Sequence, residues 1–332
     1  MIKQYGYTEE FASLSDEELR VGFVVYTQCL QIKPHESILI VTDEKLREPE
    51  AAIFFESAKK YTDNILMIEI PVGTEHAEEP PSEAAHLMEN MDVALLITTY
   101  SLSHTTARLD ACRNGTRIIS MPTITRDMIL RTLTIDYSEI AELSKKVASF
   151  QTAGSKAHIT SPNGTDLTIN LTGRNAIADT GYFTNPGDFG NLPAGESFIA
   201  PVEGTSEGTI VFDGCFADIV LDDAITVKVK NGHAVDITGG EASRLLNERL
   251  ARAGERAYNI AEFGIGTNKY TKLGDNLLEV EKVYGTCHIA LGNNATFGGE
   301  VDVPFHSDGV ILKPKIEIDG NVILQDGVFS LD

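Results

Sequence analysis

Sulfur, positive charge and long apolar runs are all scarce in this sequence, and each scarcity excludes a class of function. Four cysteines, Cys29, Cys112, Cys215 and Cys287, lie far apart with no CxxC pair. That spacing argues against a thiolate zinc site or a disulfide framework and fits a reducing compartment. Cys287 adjoins His288, but neighbours in a strand point to opposite faces, so all four cysteines read as small core residues. Lysine and arginine number 27 against 49 aspartates and glutamates, for a net charge of −22. Such a chain repels nucleic-acid backbone and anionic lipid, so neither is an expected partner. Its carboxylates read first as a solvated surface, although a cluster in a cleft would attract divalent cations. No window approaches the uncharged stretch that crosses a bilayer. The opening MIKQYGYTEEF carries acids where a signal peptide needs its apolar run, so the expected mature chain starts at Met1 and stays in the cytoplasm.

A nucleotide loop is missing as well. The stretches GIG (264–266) and GG (298–299) neither open a helix after a strand nor form GxGxxG or a Lys-Ser/Thr phosphate loop. The first apolar strand runs into TDEKLREPE, which is acidic and unfriendly to pyrophosphate. A Rossmann-like layout here does not imply a dinucleotide.

What is present suits a two-domain α/β protein of 332 residues, 42% apolar and 23% charged. In the first half, helical spacing over 16–32, 48–61, 83–91 and 104–113 alternates with short apolar strands at 37–41, 64–70, 93–98 and 117–120. Continuously apolar strands separated by helices predict a parallel sheet covered on both faces. A helix over 139–150 leads out of this domain. From residue 156 the texture changes to short alternating segments punctuated by PNGTD (162–166), NPGDFGN (185–191) and several DG and NG pairs, with one clear helix at 241–253. The expected division is therefore 1–150, a parallel-sheet α/β domain, and 151–332, a β-rich metal-binding domain.

The chemistry concentrates in the second half. Phe305-His306-Ser307-Asp308 lies in a predicted strand, so His306 and Asp308 project from one face and supply half of a first-row metal site. GTCHIALGNN (285–294) sets His288 where an apolar strand meets a turn. NLPAGESFIAP (191–201) and AEFGIGTN (261–268) set Glu196 and Glu262 among residues too small or apolar to solvate them, and a buried carboxylate needs a cation or hydrogen-bond donors. Glu281, in LLEVEKVYGT, is a weaker candidate that also reads as a helix-surface acid. A mixed nitrogen and oxygen set without sulfur fits Zn, Co, Mn or Fe.

GES-F-AP, AE-GIGTN, GTCHIALG and HSD, in this order, resemble the aminopeptidase T family of metallo-aminopeptidases. The resemblance implies a hydrolase with two zinc or cobalt ions, with Glu196, Glu262, His288, His306 and Asp308 as ligands and Glu281 as a further acid. In that reading Glu196 moves the proton of a metal-activated water, the substrate is a small molecule or short peptide, and the chain forms a homodimer. The family's tyrosine after HIALG is replaced here by Asn293-Asn294-Ala295. A second resemblance is to the 2,5-dihydroxypyridine 5,6-dioxygenases, which use one Fe(II). SLSHTTAR (101–108) is similar to their histidine-bearing stretch and implies a proton-transfer role for His104. On that alternative His288, His306 and Asp308 form the iron triad. A relative that binds metal without catalysis is the third reading.

Overall fold

The computed structural model describes residues 2–331, apart from Ala12 and Asp218. By internal contacts the chain forms two units, residues 1–139 with 181–194, and residues 140–180 with 195–332. The sequence texture changes near residue 150. The structure divides ten residues earlier and returns a later segment, 181–194, to the first unit.

The first unit is built on a six-stranded sheet in the order Lys3–Gly6, Ile65–Ile70, Ile38–Asp43, Val93–Ile97, Arg117–Ser120 and Phe189–Asn191. All neighbours pair in parallel except the Lys3–Gly6 edge strand. Burial explains the order of residues: Ile38–Asp43 and Val93–Ile97 are buried throughout, as strands covered on both faces must be. At the carboxyl end of Ile38–Asp43, the Asp43 side chain accepts from the Thr99 amide at 2.6 Å and the Lys45 amide at 3.0 Å. A carboxylate thus caps the strand ends where open α/β sheets hold nucleotides.

Helices depart from the predicted spans for local reasons. The predicted helix over 16–32 is an α-helix only at Asp16–Gly22, closed at its start by a Ser15–Glu18 capping box, and continues as a π-helix at Phe23–Cys29. Gly22 is needed where it stands, because a Cβ there would lie 2.4 Å from the Ser57 Cβ. The span 48–61 is shortened to Ala52–Ala58, preceded by a π-turn in which Glu48 is extended; the residue before a proline avoids the helical region. A helix at Arg126–Thr132, capped by Thr125, was not evident from spacing.

The second unit is β-rich. Eight antiparallel strands form one sheet, in the order His233–Thr238, Ile225–Lys230, Glu207–Phe212, Asp166–Asn170, Lys156–Thr160, Lys315–Ile318, Asn321–Gln325 and Val328–Phe329. Alternating burial along Ile225–Lys230 and Asp166–Asn170 shows one face in and one out. A second sheet runs Cys215–Phe216, His306–Ile311, Cys287–Gly292, Ile260–Gly266, Glu196–Ile199, Ile177–Asp179. Its central strands, Ile260–Gly266 and Cys287–Gly292, are buried along their whole length. One core, including Phe212, Phe216, Phe263, Ile289 and Leu246, unites these elements with the Glu241–Ala253 helix. Among the described residues no helix is long and apolar enough to cross a membrane.

Candidate metal centre

The second sheet of the second unit carries five of the candidate ligands. Glu196 opens the Glu196–Ile199 strand, Glu262 lies on Ile260–Gly266, His288 on Cys287–Gly292, and His306 and Asp308 on His306–Ile311. Register supplies the room they need. Glu196 pairs with Gly266, Glu262 with Ala290 and His288 with Gly264. Across the next ladder Asp308 faces Ala290 and His306 faces Gly292. Every one of these ligand candidates therefore has a glycine or alanine opposite it on one side, where a cross-strand side chain would otherwise pack, while Asp179 and Val310 stand on the other side of Glu196 and His288. Gly264 is the tightest case, since a Cβ there would lie 1.8 Å from His288 Nε2. A register shift between Ile260 and Glu262 brings Glu262 into line with Ala290, the re-aiming that a bulge achieves.

Two overlapping sets of ligand atoms result. One atom each from Glu196, Glu262 and His288 lie within 4.8 Å of one another, and so do atoms from Glu262, His306 and Asp308. Glu262 serves both sets, with Oε1 3.3 Å from His288 Nε2 and Oε2 3.5 Å from His306 Nε2. His306 Nε2 also lies 3.3 Å from Asp308 Oδ2. Its Nδ1 is 2.8 Å from the Asn293 carbonyl oxygen. A carbonyl only accepts, so Nδ1 carries a proton, and Nε2 is the nitrogen that faces the carboxylates and would meet a metal in place of its own proton.

The donors fit a divalent ion. Glu196 Oε2 lies 3.1 Å from His288 Nε2, yet it is buried without a hydrogen bond, and so is His288 Nδ1. One ring proton cannot serve the carboxylates of both Glu196 and Glu262, so negative charge is left over for a cation at the Glu262 carboxylate that both sets share. The electrostatics of the cluster point the same way. Burial works against an ionised Asp308, but His306 beside it holds its carboxyl at about 2. Burial likewise opposes a charged His306, and Asp308 followed by Glu262 raises its pKa to about 10. His288 is raised well above an ordinary histidine, because Glu196 and Glu262 outweigh its burial. Burial pushes Glu262 up, with Asp308 adding repulsion. Nitrogen and oxygen donors without sulfur suit first-row divalent metals.

Lys282 is a residue of this cluster that spacing concealed. It is fully buried, with Nζ 3.1 Å from Glu196 Oε1 and a second bond to Glu281. Burial alone would lower its pKa, but Glu196, Glu281 and Asp179 hold it above that of an ordinary lysine. Asp179 is the register partner of Glu196 on its other side. Burial pushes both Asp179 and Glu281 up to about 7, against the pull of the Lys282 charge. Glu281 is therefore not a helix-surface acid; it turns inward onto Lys282 and joins neither ligand set. His288, expected beside His306 and Asp308 in one triad, is instead grouped with Glu196 and Glu262. His104 lies in the first unit, exposed, just ahead of the Thr106–Arg113 helix, and belongs to neither set. The cysteines Cys29, Cys215 and Cys287 are buried and Cys112 is half-buried.

Similarity to known proteins gives this geometry a family. The model of the NicX family, 2,5-dihydroxypyridine 5,6-dioxygenase, matches residues 22–331. The chain belongs to that family. A 2,5-dihydroxypyridine 5,6-dioxygenase of Pseudomonas putida KT2440 is 25% identical over 249 residues, which is 70% of either chain. In fold, the solved 2,5-dihydroxypyridine dioxygenase of that organism superposes with a TM-score of 0.80 at 19% identity, covering 96% of this chain and 98% of the other. Wild-type AmpT from Thermus thermophilus superposes with a TM-score of 0.70 at 15% identity, over 94% and 98%.

Membership in the NicX family makes the chain an enzyme for a small-molecule substrate and implies a divalent metal. It overturns the expectation of an aminopeptidase: the hydrolase, metalloprotease and peptide-cleaving readings, with Glu196 as a proton carrier for metal-bound water, are withdrawn. The peptidase scaffold survives only as a likeness of fold. The physical reason for the error is that GES, HIALG and HSD describe donors. Imidazole and carboxylate donors hold metals for hydrolytic and for oxidative chemistry alike.

Proposed function

We propose that this chain is an Fe(II)-dependent dioxygenase that opens a small dihydroxylated nitrogen heteroaromatic ring with O₂, 2,5-dihydroxypyridine being the first compound to test. The observation that carries the reading is the family match over residues 22–331, a span that includes all of the ligand candidates. Both oxygen atoms of O₂ enter the product of a ring-cleaving dioxygenase, so the reaction needs no external reductant.

Glu262, His306 and Asp308 would hold the ion, with His288 beside it through the shared Glu262 carboxylate. Bound ferrous iron would supply the one-electron chemistry that lets triplet O₂ meet an aromatic ring. The protein's own groups set the stage. Asn293 fixes the His306 tautomer by accepting from Nδ1, which turns Nε2 toward Glu262 and Asp308. The Phe297 ring meets His306 edge-on at 5.9 Å and Phe198 at 5.6 Å, so an aromatic ledge adjoins the centre and suits a planar substrate. His104 takes the hydroxyl proton in this proposal, on the strength of its SHTTAR context. A homodimer in the cytoplasm completes the proposal, and light scattering checks the dimer.

The test is an oxygen electrode with anaerobically Fe(II)-loaded protein and 2,5-dihydroxypyridine. One O₂ consumed per ring lost from the ultraviolet spectrum is the expected result. Folded, iron-loaded protein that takes up no O₂ with this or related dihydroxypyridines refutes the proposal. His104→Ala should then lower kcat while leaving iron content unchanged.

A further inference from the structure

Two sets of donors share Glu262, which leaves open how many ions the centre takes. The two sets differ in one respect. Glu196 spans two cations' places with its two oxygens: Oε2 faces His288 Nε2 at 3.1 Å, and Oε1 faces the Lys282 ammonium at 3.1 Å. In two-metal sites a carboxylate commonly reaches from one ion to the next, the ions being roughly 3.5–4 Å apart. Here the far end of that reach ends on a lysine. Among the described residues, the ion pairs of Glu262, His306 and Asp308 run only between these three side chains and His288, and the Lys282 charge reaches Asp308 without a direct contact.

We propose that Lys282 is a built-in cation that keeps the centre mononuclear, so that one divalent ion binds tightly at Glu262, His306 and Asp308 while the Glu196 set is closed to a second. This rests on the dioxygenase reading and adds a determinant of metal number to it. Lys282 is placed for the task by the chain itself. Its carbonyl accepts from the Asn268 amide at 3.0 Å, pinning the segment beside the Ile260–Gly266 strand, and its side chain is fully enclosed. A second dication on Glu196 would share one carboxylate with this ammonium, in an interior where repulsion is poorly screened. Expelling the lysine instead would leave Glu281 and Asp179 without their counter-ion. A lysine is also the right group for the purpose, being a compact charge that cannot serve as a ligand while protonated.

The experiment counts ions. Apo-protein is titrated with Mn(II) under argon, with bound metal measured by elemental analysis after desalting and by electron paramagnetic resonance. The wild type should bind one equivalent and give an uncoupled spectrum. Lys282→Met should bind two, with the second ion held on the order of 100-fold more tightly than in the wild type and with exchange coupling between the spins. Lys282→Arg, which keeps the charge, should stay at one. Should Lys282→Met fail to fold, the paired variant Lys282→Met/Glu281→Gln removes the charge together with one of its counter-ions and serves in its place. Two tightly held ions in the wild type, or one in the folded neutral variant, overturn the proposal. Ion counting needs neither O₂ nor substrate. An inactive enzyme with one ion therefore defeats the dioxygenase reading alone, and an active one with two defeats only the role of Lys282.

Discussion

Replacing Gly264 with alanine probes the centre where it is most tightly built. The new Cβ would lie 1.8 Å from His288 Nε2, 2.1 Å from Cε1 and 2.6 Å from Cδ2. Ordinary contact begins at 3.4 Å, so the imidazole must retreat by about 1.6 Å. His288 is only 1% exposed and has no open space to enter. The ring therefore moves off Glu262 Oε1, which lies 3.3 Å from its Nε2 in the wild type. Losing an outer partner of a metal ligand costs about 10–100-fold in affinity, so moving His288 away from Glu262 should weaken Mn(II) or Fe(II) binding by about that factor. Overpacking should also destabilise the apo-protein by about 1–3 kcal/mol. Anaerobic calorimetric titration reads the first effect and urea unfolding the second. In Gly264→Ala/His288→Ala the ring is gone, so the stability loss should be smaller than the sum of the single losses. Wild-type metal affinity in Gly264→Ala would falsify the support that His288 gives to the candidate ligand Glu262.

Other consequences are simpler to check. Asp308→Ala should lower metal affinity by more than about 100-fold while circular dichroism of the apo-protein stays that of the wild type; retained metal after desalting would remove Asp308 from the ligand set. Glu69 is buried in the first unit, and Lys3, Tyr5 and Arg47 overcome the burial cost to hold its carboxyl below the usual range. A depressed folded-state pKa contributes stability above the unfolded value and loses it as the pH falls through the folded one. Glu69→Gln should therefore cost about 1–2 kcal/mol at pH 7, with the gap to wild type closing below about pH 4; a gap unchanged down to acid pH would show that the ion cluster is not its source. Phe212 is fully buried, 5.0 Å from the Phe216 ring, and seated where Gly309 leaves room. Phe212→Ala should cost about 3–5 kcal/mol in urea unfolding, and a loss under about 1 kcal/mol would mean that the cavity collapses.

Hydrophobic periodicity carries most of the fold, and the reason is local. The strands at Ile38–Asp43, Ile65–Ile70, Val93–Ile97 and Arg117–Ser120 are short apolar runs that can be solvated nowhere but inside a sheet. Helix limits were less legible, because the π-helical stretch at Phe23–Cys29 and the extended Glu48 depend on neighbours such as Ser57 and Pro49. The strand order could not be read, since pairing joins residues far apart in the chain. Within the centre, His306 and Asp308 were legible from their spacing of two, and Glu196 and Glu262 from carboxylates set among small apolar neighbours. What those donors do was not legible, because a donor set does not choose between water and O₂.

By itself the sequence determined an α/β half, a β-rich half and a sulfur-free set of candidate metal donors, all through patterns that act over a few residues. Only the tertiary structure decided that Gly264, Gly266, Ala290 and Gly292 stand opposite the candidate ligands. It also decided that Glu281 turns inward and that Lys282, on its face an ordinary surface lysine, is a buried charge on Glu196. Register and burial are long-range properties. The cost of enclosing an ammonium is met only when strands distant in sequence bring their carboxylates to it.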